Sequence, residues 1–177
     1  MNTTASYSKS GNTTVGIVRA ALVAALYVAI TLVLGPLGSG VIQVRISEMF
    51  NFLAFYNKRY IWAVTIGCVI ANYFTYGLID MVVGGLHSLV FLLIGVAVTK
   101  HLKGKRFNIG KLSFNVQFLA FTAISVFSMV VIAAMLSYLY GLPLLPTWLT
   151  VGIGQLISLT IGMFVIENIA KRIDLTK

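Results

Sequence analysis

Apolar residues along this chain gather into blocks of about twenty, and polar residues separate the blocks instead of alternating within them. Twenty apolar residues are what one helix needs to cross a hydrocarbon core ~30 Å thick. The pattern predicts six spans, at 15–34, 41–56, 60–76, 80–99, 113–139 and 147–170. The second is short and is interrupted by Arg45 and Glu48. Residues 1–14, polar and small, are expected to form a disordered cytoplasmic tail, and 15–177 a single six-helix transmembrane domain. The apolar run after the tail is too long for a signal-peptide core and is followed by no small-residue cleavage site. No soluble domain, long linker or internal repeat interrupts the series.

Composition agrees with the pattern. The 177 residues are 59% hydrophobic and 10% charged, where soluble domains carry roughly 25% charged residues. The expected fold class is therefore an all-α membrane protein, a compact bundle of six transmembrane helices. The single cysteine, Cys68, excludes an internal disulfide and is read as a small packing residue.

Charge sets the orientation. With the N-terminus inside, twelve of the thirteen basic residues fall on one side and only Arg45 on the other. By the positive-inside rule that side is the cytoplasm, so both termini are cytoplasmic in a multi-pass protein of the cell (plasma) membrane. The net charge of +9 then reflects topology and attraction to the lipid bilayer's anionic headgroups, and no nucleic-acid partner is needed to explain it.

Depth follows from topology. At ~1.5 Å per residue, Asn72 lies ~18 Å above the inner end of its span. Asp80, Gly84 and His87 share one helix face near the outer end of the next. Gln155 lies just below the outer Trp148, and Arg45 and Glu48, three residues apart, stand at the outer mouth of the second span, within mutual reach. Ionisable side chains cost ~2.5 to 3.5 kcal/mol at the bilayer centre and usually face a cavity. Arg45, Glu48, Asn72, Asp80, His87 and Gln155 are thus candidates for a substrate-binding pocket open to the outside. Taken singly, each also has a structural explanation: an Arg45–Glu48 ion pair, an Asp80 helix cap, interhelical hydrogen bonds from Asn72 and Gln155, a satisfied interior His87. The inner half offers Thr65, Thr122, Ser125, Ser128, Ser158 and Thr160, and almost no ionisable group until the cytoplasmic rim, where Glu167 and Lys171 are read as a solvated ion pair at i, i+4. That emptiness argues against a proton relay or an ion channel. No G-x-x-x-x-G-K-[ST] loop is present, so any energy for transport must come from a partner.

The first span carries Ala20, Ala21, Ala24, Ala25 and Ala29 at four-residue spacings. Such a stripe permits close approach of another helix, within the bundle or from a partner.

Short helices, internal termini and the alanine stripe resemble the substrate-binding S component of an energy-coupling factor (ECF) transporter. The stretches "VRISEMFNFLAF", "GCVIANYF" and "GGLHSLVFLL" resemble, more narrowly, the queuosine-precursor transporter (QueT) family of such components. The resemblance implies an S subunit of an ABC-type importer that captures a 7-deazaguanine such as preQ0, preQ1 or queuine. It further implies association through the alanine stripe with a membrane T subunit and two cytoplasmic ATPases. ATP is hydrolysed by those partners; no cofactor, metal or catalytic residue is expected in this chain, which is not read as an enzyme.

For such a ligand, Glu48 is the natural acceptor for the ring N–H and exocyclic amine, with Arg45 supporting the carboxylate. Arginine's own two-point contact to guanine needs the N7 that a 7-deaza ring lacks. Asn72 and Gln155 suit the remaining ring edges, Trp148 or Phe74 a stacking role, and Asp80 a cationic aminomethyl group. Three other readings stay open at this level: an S component for a different vitamin, a membrane-embedded enzyme using Glu48, Asp80 and His87, and an assembly subunit without a ligand.

Overall fold

A computed structural model of the chain describes residues 3–35, 43–109 and 112–176. Helix α1 spans Thr3–Val33, and so includes the polar stretch read as a tail; its apolar window begins only at Thr13. A 3-10 helix, Ile46–Phe55, follows, then α2 (Arg59–Tyr76) and α3 (Leu78–Thr99). A short hairpin of β1 (Arg106–Ile109) and β2 (Leu112–Asn115) precedes α4 (Val116–Tyr140) and α5 (Leu144–Ala170). The helical membrane class is as expected. Among the described residues, four helices are long and apolar enough to cross a bilayer. Helix α2, ~27 Å long at the usual rise, presents Trp62, Ile66, Ile70 and Tyr73 as an exposed stripe.

The second expected span differs in kind. Its first residues, 41–42, lie outside the described ones, and the rest is not an α-helix. Ten residues of 3-10 helix reach only ~20 Å, and this segment is wrapped by α1, α2, α3 and α5. Ser47, Glu48, Phe50, Asn51, Phe52, Leu53 and Ala54 are all buried. Backbone without α-helical hydrogen bonding is tolerated at membrane depth only when protein surrounds it or it lines a cavity, and here both conditions hold.

Glycine makes room for it. A Cβ at Gly162 of α5 would stand 2.7 Å from Met49 Cα, and one at Gly154 would strike the Gln43 carbonyl. Without those side chains the 3-10 helix seats directly on the α5 backbone. Beneath it, Phe52 stacks on Phe118 at 4.3 Å between centroids and meets Phe121 edge-on at 5.7 Å. Leu159, Met163 and Ile166 of α5 complete this core.

Two turns are set by local chemistry. Asn115 caps α4 by accepting from the Gln117 N–H at 3.0 Å, and Gly141, at φ 67°, ends it in the left-handed conformation that glycine adopts freely. The hairpin replaces the expected start of the fifth span at 113. It brings Arg106 onto Glu167 of α5, through both carboxylate oxygens at 3.0 and 3.1 Å. The expected Glu167–Lys171 pair is therefore not formed; Lys171 instead reaches the Asn168 side chain at 3.5 Å. At the same end Arg19 donates to the Asp174 carbonyl and Asn57 to the Thr176 carbonyl, gathering the basic residues and the C-terminal segment together.

Candidate functional site

At the opposite end from those basic residues a cleft of about 70 Å³ opens between the 3-10 helix, α2, α3, α4 and α5. One water needs at least ~10–15 Å³ by the same measure, so there is space for several. Its polar wall carries Arg45, Glu48, Asn72, Asp80, His87 and Gln155, all six residues that the sequence brings to this level. Met129, Ile132, Leu136 and Val151 form the apolar wall.

Glu48, 7% exposed, is the centre of the network. Its Oε1 accepts from the Tyr27 hydroxyl at 2.5 Å, and its Oε2 from Asn51 Nδ2 at 2.6 Å and, more weakly, from Gln155 Nε2 at 3.4 Å. The Gln155 amide also donates to Ser125 Oγ at 2.9 Å. Ser128 Oγ donates to the Ser125 carbonyl at 2.7 Å, and His87 Nε2 sits 3.1 Å from Ser128 Oγ. A hydrogen-bonded chain thus runs from α1 through the 3-10 helix and α5 to α4 and α3. Ser125 and Ser128, expected below the site, belong to it.

Arg45 and Glu48 do not form an ion pair. The guanidinium lies instead over the Tyr76 ring, 5.0 Å from its centroid. Three neutral donors orient the Glu48 carboxylate, in place of the support expected from Arg45. Asn72, 1% exposed, donates to the Asp80 carbonyl at 3.1 Å, and its Oδ1 is a buried acceptor with no partner. Gly84 leaves the space for this amide, since a Cβ there would overlap Asn72 Nδ2.

The expected stacking residues lie elsewhere. Trp148 packs edge-on against Phe127, 5.6 Å between centroids, beside the cleft and not on its wall. Phe74 is 67% exposed. Tyr27, Asn51, Tyr76 and Ser88 also belong to the site, and the sequence pattern does not mark them. Tyr27 could have been found as the hydroxyl group inside the otherwise apolar "AALYVAI".

The alanine stripe divides into two faces. Ala20 and Ala24 are half-buried toward α2, where the Ala24 carbonyl lies 3.1 Å from the Cβ position of Gly67; Ala21, Ala25 and Ala29 are exposed. Among the described residues no cluster of His, Cys, Asp or Glu is arranged to hold a metal ion.

Fold and site together define a helical, multi-pass membrane protein whose polar groups converge on a cleft in one half of the bundle. The family model described as QueT transporter matches residues 17–171, so the chain belongs to the QueT transporter family. It is 44% identical over 166 residues to the queuosine precursor transporter QueT of Lactococcus lactis subsp. cremoris (strain MG1363), covering 93% of this chain and 97% of that protein. No solved structure matches the chain. A transporter family sets aside the membrane-enzyme reading.

Proposed function

We propose that this chain is the substrate-binding S component of an ECF-type importer and captures a queuosine precursor, a 7-deazaguanine, in the outward-facing cleft. The name of the Lactococcus relative supports the substrate class. The observation that carries the reading is the Glu48 carboxylate, buried on the cleft wall and hydrogen-bonded to neutral donors alone. A buried carboxylate is costly unless its hydrogen-bonding capacity is met, and that capacity is about four bonds. Tyr27 and Asn51 fill two of those sites and Gln155 holds a third only weakly at 3.4 Å, so a ligand edge presenting an N–H beside an amine fits once the Gln155 amide turns to another ring edge. The Asn72 amide and Gln155 address the other ring edges, and Asp80 in the first turn of α3 suits an ammonium substituent.

The inner half beneath the cleft is filled with aromatic side chains, so release inward requires a rearrangement of the whole subunit. A membrane T subunit and two ATPases would drive it by hydrolysing ATP, with the T subunit meeting the exposed Ala21, Ala25 and Ala29 face of α1.

Titration of preQ0, preQ1, queuine and a panel of unrelated vitamins into the purified chain in nanodiscs tests the substrate class. Thermal stabilisation should grow with ligand concentration over Kd, by about 2.7 kcal/mol at a hundredfold excess over Kd, for 7-deazaguanines alone. Stabilisation by a vitamin and by none of the 7-deazaguanines would refute it.

A further inference from the structure

Among the described residues, two ring side chains line the cleft, those of His87 and Tyr76. The His87 ring is held by Ser128 at one nitrogen and lies 4.6 Å from Phe91 between centroids. Tyr76, at the end of α2, is half-buried, and its face is covered by the Arg45 guanidinium. Arg45 and Tyr76 also line a second cavity of about 10 Å³, with Ile30, Thr31, Leu34 and Thr75 on its far side. The pair is therefore a partition between the cleft and a smaller space behind it.

A guanidinium is a planar carbon bearing three nitrogens, the same arrangement as the 2-amino edge of a guanine-type ring. From this geometry we infer that Tyr76 is the stacking platform for the ligand's ring, and that Arg45 occupies that platform when the site is empty. Ligand entry displaces the guanidinium from the ring. The exchange is favourable because base–aromatic stacking is generally stronger than a half-exposed cation–π contact. The pair thus sets a threshold: a solute without a flat π-face cannot replace what it displaces. Arg45 acts on affinity as an internal competitor, since a site occupied by its own side chain binds with an apparent Kd raised by the fraction of time it is blocked.

This inference rests on the proposed substrate class. The test is calorimetry and stopped-flow binding of preQ0 and preQ1 to the full chain in nanodiscs. Tyr76→Leu should weaken both ligands roughly 5- to 150-fold, the range for losing one stacked base, and Tyr76→Phe should recover most of that loss. Arg45→Met, which keeps the stem and removes the planar cation, should bind both ligands more tightly and associate faster than wild type. Unchanged affinity in Tyr76→Leu, or weaker binding in Arg45→Met, would overturn the inference while leaving the substrate class standing. A wild-type chain that binds neither ligand would remove both.

Discussion

Tyr27 of α1 donates its phenolic proton to Glu48 Oε1 across 2.5 Å. The helix whose outer face bears Ala21, Ala25 and Ala29 therefore also holds the acidic residue of the cleft from its inner face. Tyr27 is 1% exposed, so water cannot easily replace its hydroxyl. Tyr27→Phe should lower the stability of the ligand-free chain by about 1 to 3 kcal/mol, the range for a hydrogen bond to a charged group in a site that can partly relax. It should weaken ligand binding by less than the loss of the carboxylate itself. Denaturation of the two proteins in the same detergent, followed by calorimetry, checks both; equal stability would mean that the carboxylate finds another donor.

The two acidic residues of the cleft should separate by ligand. Glu48→Gln keeps the shape but places a donor among the donors of Tyr27, Asn51 and the ring edge. It should weaken every 7-deazaguanine alike, by roughly 10- to 150-fold. Asp80→Asn should penalise preQ1, whose aminomethyl group is cationic, and spare the uncharged nitrile of preQ0. Equal losses for the two ligands in Asp80→Asn would remove Asp80 from the substituent role.

Much of this arrangement was legible in the linear chain, for a definite reason. Membrane spans are written as continuous apolar blocks, and a polar residue inside a block is costly enough to mark its own importance. Hence Glu48, Asn72, Asp80, His87 and Gln155 emerge from sequence and meet at one cleft. The relationships among them were less visible. An apolar run at 41–56 does not reveal whether its backbone is α or 3-10, and Gly154 and Gly162, which make room for the 3-10 helix, lie a hundred residues downstream. Arg45 and Glu48 are close in sequence, yet Arg45 takes Tyr76 and Glu48 takes Tyr27, partners that only tertiary packing supplies. Arg106 and Glu167, 61 residues apart, are the same case at the other end.

The glycines of α5 give a test of that packing that involves no ligand. A Cβ at Gly162 would meet Met49 backbone at 2.7 Å, whereas one at Gly152 would find only ordinary contact, 3.6 Å from a Val126 methyl. Gly162→Ala should displace the 3-10 helix and cost about 1 to 3 kcal/mol, as overpacking does. Gly152→Ala, ten positions earlier on the same helix, should be neutral or stabilising by up to ~1 kcal/mol. Parallel thermal unfolding of the pair decides it: equal melting temperatures would show that the 3-10 helix yields without penalty.

The two faces of the alanine stripe call for two different substitutions. Ala24 packs toward α2, where its carbonyl and Tyr27 both approach Gly67, so Ala24→Trp should disturb the bundle and, through Tyr27, the Glu48 network. Ala25 is exposed on the neighbouring face beside Leu22 and Leu26, away from the bundle's buried core. If a T subunit docks there, small residues are what permit backbone approach, because in lipid the attraction between helices comes from close packing. Ala25→Trp should then abolish energised uptake and co-purification with the ATPase module while ligand affinity in the isolated chain stays within about twofold of wild type. Ala24→Trp should lower affinity and stability as well. Uptake that survives Ala25→Trp would place the partner on another face of the bundle, and an affinity loss in Ala25→Trp equal to that in Ala24→Trp would assign both alanines to internal packing.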